Sequence, residues 1–133
     1  ENSEKYHLND VDYSKGVQQT VLQLAELGSI VIVGRGANII LKNHPKVLRV
    51  GLIAEEEDRI NRIASFENVN KEEAKELMEN RDKARIQYFN KVFDIQDPDS
   101  RFNYHAVLNT SSMNFDIATD IIVDLAKDLH LDN

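Results

Sequence analysis

The side chains best equipped for chemistry in this chain are arginines. Arg81-Asp82-Lys83-Ala84-Arg85 places two guanidinium groups four positions apart, one face of a helix, with Asp82 three residues before Arg85 and able to orient it. Arg59 and Arg62, three apart on what reads as the preceding helix, can converge on the same anion. Arg35 stands between Gly34 and Gly36, where glycines permit a tight turn and close backbone approach and a guanidinium fork can grip phosphate. The common chemistry is recognition of a phosphate-like anion. Taken singly, each feature also fits a solvated helix face or an exposed turn, with ion pairs of modest worth. Their accumulation in one acidic chain, on elements flanking strand ends, favours a site.

Other chemistries find less support. His7, His44, His105 and His130 share no metal-ligand spacing, and the Glu55-Glu56-Glu57 and Glu72-Glu73 clusters read as helix starts rather than a cage, so no metal site is expected. Thr110, Ser111 and Ser112 have no His/Asp partners placed for a hydrolase triad. Tyr88 and Phe89 read as core residues, with Tyr88 also placed to touch a base. Cysteine is absent, which removes disulfides, thiolate zinc sites and thiol nucleophiles together. With 16 basic against 23 acidic residues the net charge is −7, so no basic field exists to hold a nucleic-acid polymer. The longest apolar run, Ile30 to Val33, is too short to span a membrane, and no apolar signal stretch opens the chain. A cytoplasmic protein with no membrane partner is expected. At 133 residues one hydrophobic core suffices, so residues 1–133 are expected to form a single domain, with 1–12 a polar entry arm. Because the first residue is Glu1 rather than Met, the chain is expected to be a processed product or a piece of something longer.

These side chains need elements to position them. Val17, Val21, Leu24 and Leu27 recur at helical spacing from Tyr13 onward, and Gly28 suits a left-handed cap. Ser29 to Val33 follows as a β-branched run, expected to be a strand buried on both faces of a parallel sheet. Ile39 to Leu41 suggests a short segment packing back on the core, and His44-Pro45 a break. A second strand is expected at Val47 to Ile53, then a helix opening on Glu55 to Glu57 and carrying Ile60 and Ile63 inward. Asn70 with Glu73 three residues on is a capping-box-like start for a long helix to about Phe93. Asp97 to Ser100 reads as a turn, His105 to Thr110 as a third strand, and Ile117, Ile121, Ile122 and Leu125 as the apolar face of a last helix. This alternation predicts an α/β fold with a parallel sheet and flanking helices.

The order of these segments resembles the cytidylate kinase-like family of P-loop nucleotide kinases. The resemblance is carried by Ile30 to Leu41 around Gly34-Arg35-Gly36, by Leu48-Arg49-Val50 with Leu52-Ile53-Ala54 and Arg59-Ile60, by Arg81 to Arg85 with Tyr88, and by Val107 to Ser111. It covers about Val17 to Leu129. It implies a P-loop kinase-like fold and phosphoryl transfer from ATP, with Mg2+, to a nucleoside monophosphate such as CMP or dCMP. By similarity Arg35, Arg81, Asp82 and Arg85 would bind the monophosphate substrate, and Arg59 and Arg62 would be catalytic arginines at the root of a lid spanning Ser65 to Asn70. Two departures stand out. Gly36 occupies a position where cytidylate kinases carry an Asp, and no Gly-x-x-x-x-Gly-Lys-Ser/Thr loop occurs anywhere in the chain. The chain thus resembles such a kinase without its N-terminal P-loop strand. It is expected to lack activity alone, and to form a homodimer or pair with that missing segment. A nucleotide- or phosphate-sensing module and a structural α/β interaction domain are the alternative readings.

Overall fold

The computed structural model describes residues 10–129, so residues 1–9 of the expected entry arm, His7 and His130 lie outside the described residues. The chain divides into two compact units, one up to Val47 and one from Leu48.

In the first unit, α1 (Asp10–Leu27) begins inside the expected arm and packs through Val17, Val21 and Ala25 against Ala37 and Leu41 of the short α2 (Ala37–Ile40) and its cap. Leu27, counted with the apolar face, is exposed. Gly28 ends α1 in the left-handed region at φ 69°, its N–H donating to the Ala25 carbonyl at 3.2 Å.

The expected strand at Ile30 to Val33 is not one: these residues lie outside the sheet. Ile32 alone packs against the unit's core, while Val31 and Val33 point outward, 88% and 85% exposed. The run has the β-branched composition of a strand, but composition does not supply a ladder partner, and without one the segment only partly buries a single side chain, that of Ile32.

The second unit holds β1 (Val50–Ile53) and β2 (Ala106–Asn109), which pair in parallel with Val50 opposite Ala106 and Ile53 opposite Asn109. Both strands are shorter than expected, and Val47 belongs instead to the core of the first unit. Between them run α3 (Glu56–Glu67), α4 (Lys71–Phe93) and a 3-10 turn at Arg101–Asn103; α5 (Phe115–Asp128) follows β2. Three acids in the first turn of α3 meet its positive end. At α4 the Asn70 side chain accepts from the Glu73 N–H at 2.9 Å, as the spacing suggested. Ile60, Ala74 and Met78 form the α3–α4 core, flanked by Ile63, Ala64 and Val69.

The lid loop expected from Ser65 to Asn70 is a correction. Helix α3 continues through Glu67, and Asn68, left-handed at φ 55°, turns the chain while the Val69 N–H bonds the Ala64 carbonyl. Val69 then packs on the core, leaving a connection too short for a separate loop. Among the described residues the chain is thus a mixed α/β protein with a two-stranded parallel sheet, and none of its helices is long and apolar enough to cross a membrane.

Candidate anion-binding site

Packing of α3 on α4 decides where the arginines go. Arg59 precedes buried Ile60, and Asp82 lies one turn beyond buried Met78, so both sit at the rim of the α3–α4 core. There Arg59 Nη1 donates to Asp82 Oδ2 at 2.9 Å and Nη2 to Oδ1 at 2.6 Å, a bidentate fork. Donation to the Asp82 carboxylate holds the Arg59 pKa above its ordinary value; burial opposes this, and the charges of Asp82, Asp99 and Glu56 reinforce it. Arg59 is therefore a fixed cation.

One turn further along α4, Arg85 Nη1 donates to Asp99 Oδ1 at 2.6 Å, and its guanidinium lies 5.1 Å from the centre of the Phe89 ring. Asp99 belongs to the turn after α4, where its N–H is held by Asp97 Oδ1 at 3.1 Å. Tyr104 approaches Arg85 Nη2 at 3.5 Å and donates from its hydroxyl to the Pro98 carbonyl at 3.2 Å. Its ring lies against β1: a Cβ added at Gly51 would sit 3.3 Å from it, so glycine is what lets Tyr104 lie so close to the strand. Arg59–Asp82 and Arg85–Asp99 are two separate ion pairs, and the charge of Asp99 also favours the charged form of Arg59. The four side chains are between 38% and 67% exposed, within reach of a dissolved anion.

Arg62 goes elsewhere. Its Nη1 donates to the Thr110 hydroxyl at 2.9 Å and its Nη2 to the Thr110 carbonyl at 2.8 Å, with the guanidinium 5.1 Å from the centre of the Phe115 ring. Thr110 is buried and also donates its hydroxyl to the Ile53 carbonyl at 3.0 Å, while Ser111 Oγ accepts from the Glu55 N–H at 2.8 Å. Arg62 is thereby a clasp between α3 and the carboxyl ends of both strands. Arg81 pairs with Glu67 at the end of α3.

Arg35 lies in the first unit. Gly34, Arg35 and Gly36 are all left-handed, at φ 74°, 58° and 70°, a conformation that costs a non-glycine residue more than its neighbours. Arg35 lines an open concavity of about 460 Å³ with Asp12, Tyr13 and residues of α1 and Ile32.

Two expectations need correction. Asp82 binds Arg59 across the helix pair rather than orienting Arg85, because its position after Met78 turns it toward α3. Arg85 takes its carboxylate from Asp99 instead. Arg59 and Arg62 diverge, one to α4 and one to the strand ends, instead of converging on one anion. Sequence reasoning missed Asp99 and Tyr104 as partners of Arg85. The turn signal at Asp97 to Ser100 marked the place but said nothing of the helix it faces. Phe89 is buried, and Tyr88, Phe89 and Phe93 stack edge-on or tilted, with ring centres 5.6 to 5.9 Å apart.

Among the described residues no group of three or more His, Asp or Glu side chains could hold a metal ion. The 133 residues also contain no glycine-rich loop ending in Lys-Ser/Thr to cradle a nucleoside triphosphate.

Comparison with known proteins adds to this geometry. The family model described as the cytidylate kinase-like family matches residues 2–112. A crystal structure of an uncharacterized protein from Eubacterium ventriosum ATCC 27560 is similar at a TM-score of 0.74 and 25% identity, over 89% of this chain and 64% of that one. This chain therefore spans less than two thirds of the length of that protein. No protein of curated function matches the chain.

Proposed function

The chain belongs to the cytidylate kinase-like family, and from that premise we propose that it serves the acceptor side of a nucleoside monophosphate kinase, binding the phosphate of a CMP- or dCMP-like nucleotide. The observation that carries this reading is the placement of Arg59 and Arg85, on α3 and α4, each in a solvent-accessible ion pair, with Asp82 and Arg85 one turn apart on the same helix. A phosphoryl-transfer site asks the protein mainly for positioning and positive charge, and guanidinium groups held on helices supply both. Arg81 is a further proposed substrate contact. Arg62 acts from the strand ends through Thr110, which positions α3. The donor, ATP with Mg2+, is part of the proposal through family resemblance alone, and its phosphate loop would come from outside these 133 residues, within a P-loop kinase-like fold that their two strands join.

Calorimetry of CMP with the wild-type chain and with Arg59→Ala and Arg85→Ala tests the reading. A charge-assisted contact to phosphate is worth roughly 1.5 to 3 kcal/mol, so each variant is expected to bind about ten- to a hundredfold more weakly. Equal affinity across the three proteins would favour the structural reading, in which the arginines are surface pairs. The absence of a triphosphate loop from these residues favours a second reading, nucleotide sensing without transfer. CMP binding with no CMP phosphorylation by the full-length natural protein would select it.

A further inference from the structure

In the phosphate site just proposed, on which this inference rests, both arginines are already neutralised from within the chain. Asp82 fills the fork of Arg59 with two hydrogen bonds of 2.9 and 2.6 Å, and Asp99 holds Arg85 at 2.6 Å. An incoming anion must therefore exchange with a carboxylate. We propose that Asp82 and Asp99 are specificity-determining residues, internal carboxylates that occupy Arg59 and Arg85 until a doubly charged phosphate displaces them, so that the site admits phosphate monoesters and refuses singly charged anions.

The argument is one of competition. A tethered carboxylate competes at a high effective concentration, whereas a free carboxylate offers the same hydrogen bonds with no tether and so cannot displace it. A phosphate monoester brings up to two charges and three acceptor oxygens, more than one carboxylate offers. The exchange is feasible because the pairs are accessible: Arg59 and Asp82 are 38% and 42% exposed, Arg85 and Asp99 39% and 67%. Exposed ion pairs are weak, and a displaced aspartate returns to water rather than to a dry interior. Asp99, on a turn held by its own backbone bond to Asp97, can release Arg85 without disturbing a helix.

The probes are inorganic phosphate and acetate, titrated at about pH 8, where phosphate is mainly doubly charged. The proteins are the full 133-residue chain, Asp82→Asn and Asp99→Asn, followed by calorimetry and by the NMR resonances of the arginine Nε–H groups. In the wild type, phosphate is expected to shift the Arg59 and Arg85 resonances, and acetate to leave them in place. Each Asn variant is expected to bind phosphate about three- to tenfold more tightly, and Asp82→Asn to respond to acetate as well. Wild-type phosphate binding with equal or weaker binding in both variants would overturn the role of the aspartates while leaving the phosphate site standing. No response at Arg59 or Arg85 in any of the proteins would remove the site itself, and the proposal with it. If thermal unfolding shows that Asp82→Asn disrupts the α3–α4 pair, Asp99→Asn on its exposed turn decides the matter.

Discussion

Thr110 is small, yet it ties three elements together. Its hydroxyl accepts from Arg62 and donates to the Ile53 carbonyl, its carbonyl accepts a second bond from Arg62, and its N–H donates to the same Ile53 carbonyl at 2.8 Å. Thr110→Val keeps the shape and deletes only the hydroxyl, leaving one Arg62 nitrogen unpaired. The expected cost is about 1 to 2 kcal/mol by urea unfolding, with the slope unchanged. Thr110→Ser should recover most of it; a Val variant as stable as wild type would show that the clasp contributes nothing. A pH prediction follows from Arg59. Its pKa is raised chiefly by the hydrogen bonds it donates to Asp82, and a cation with a raised folded-state pKa contributes fully below its unfolded-state pKa and loses that contribution as pH rises through the folded one. Ordinary arginine already titrates far above neutral pH, so any stability or anion affinity owed to Arg59 is expected to stay flat from about pH 7 to pH 9. A steep loss of CMP affinity across that window, restored in Arg59→Ala, would contradict this.

The helix ends are where local sequence and structure agree. Asn70 and Asn114 each accept from the N–H three residues on, at 2.9 and 2.8 Å, so Asn70→Ala and Asn114→Ala should each cost about 1 kcal/mol. Circular dichroism melts are expected to register that as a few degrees, about 2–8 °C, for a chain of this size. Such features are legible because a cap, a left-handed glycine and an apolar period all lie within one or two turns of chain. Helix α4, from its Asn70 cap to Phe93, could be read from residues 70 to 93 alone. Strand pairing and cross-helix ion pairs could not. The run Ile30 to Val33 has strand composition, yet whether it pairs depends on what comes alongside, and only Ile32 found a core to enter. In the candidate site the arginines were visible but their partners were not. Spacing points Asp82 at Arg85, three residues on, whereas helix packing gives it to Arg59, twenty-three residues away. Asp99 and Tyr104 reach Arg85 from beyond the end of α4.

At the scale of the whole molecule, two expectations concern what the chain does alone. Residues 1–133 carry no loop to cradle a triphosphate, so the isolated chain is expected to show no ATP-dependent phosphorylation of CMP in a coupled assay, while still binding CMP. Turnover by a preparation free of contaminating kinase would overturn that. The second expectation concerns assembly. A sheet of two four-residue strands is near the limit of what holds together in water, and each strand has a second edge of backbone groups that its partner does not use. On β1, Leu52 and Ile53 are 61% and 50% exposed, so apolar side chains lie beside that edge without the charges or prolines that usually guard one. Adding a strand from a second copy would satisfy the backbone groups and cover those side chains together. We therefore expect self-association at roughly micromolar concentration, and Leu52→Lys, which charges the strand, to shift sedimentation toward the monomer. Hydrogen exchange locates the contact: amides of Val50 to Ile53 should slow as concentration rises, while those of Ile30 to Val33, outside the sheet, should exchange fast throughout. A wild-type chain that sediments as a monomer at tens of micromolar would rule out edge pairing. Concentration-dependent protection of Ile30 to Val33 instead would mean that this run, not β1, forms the joint.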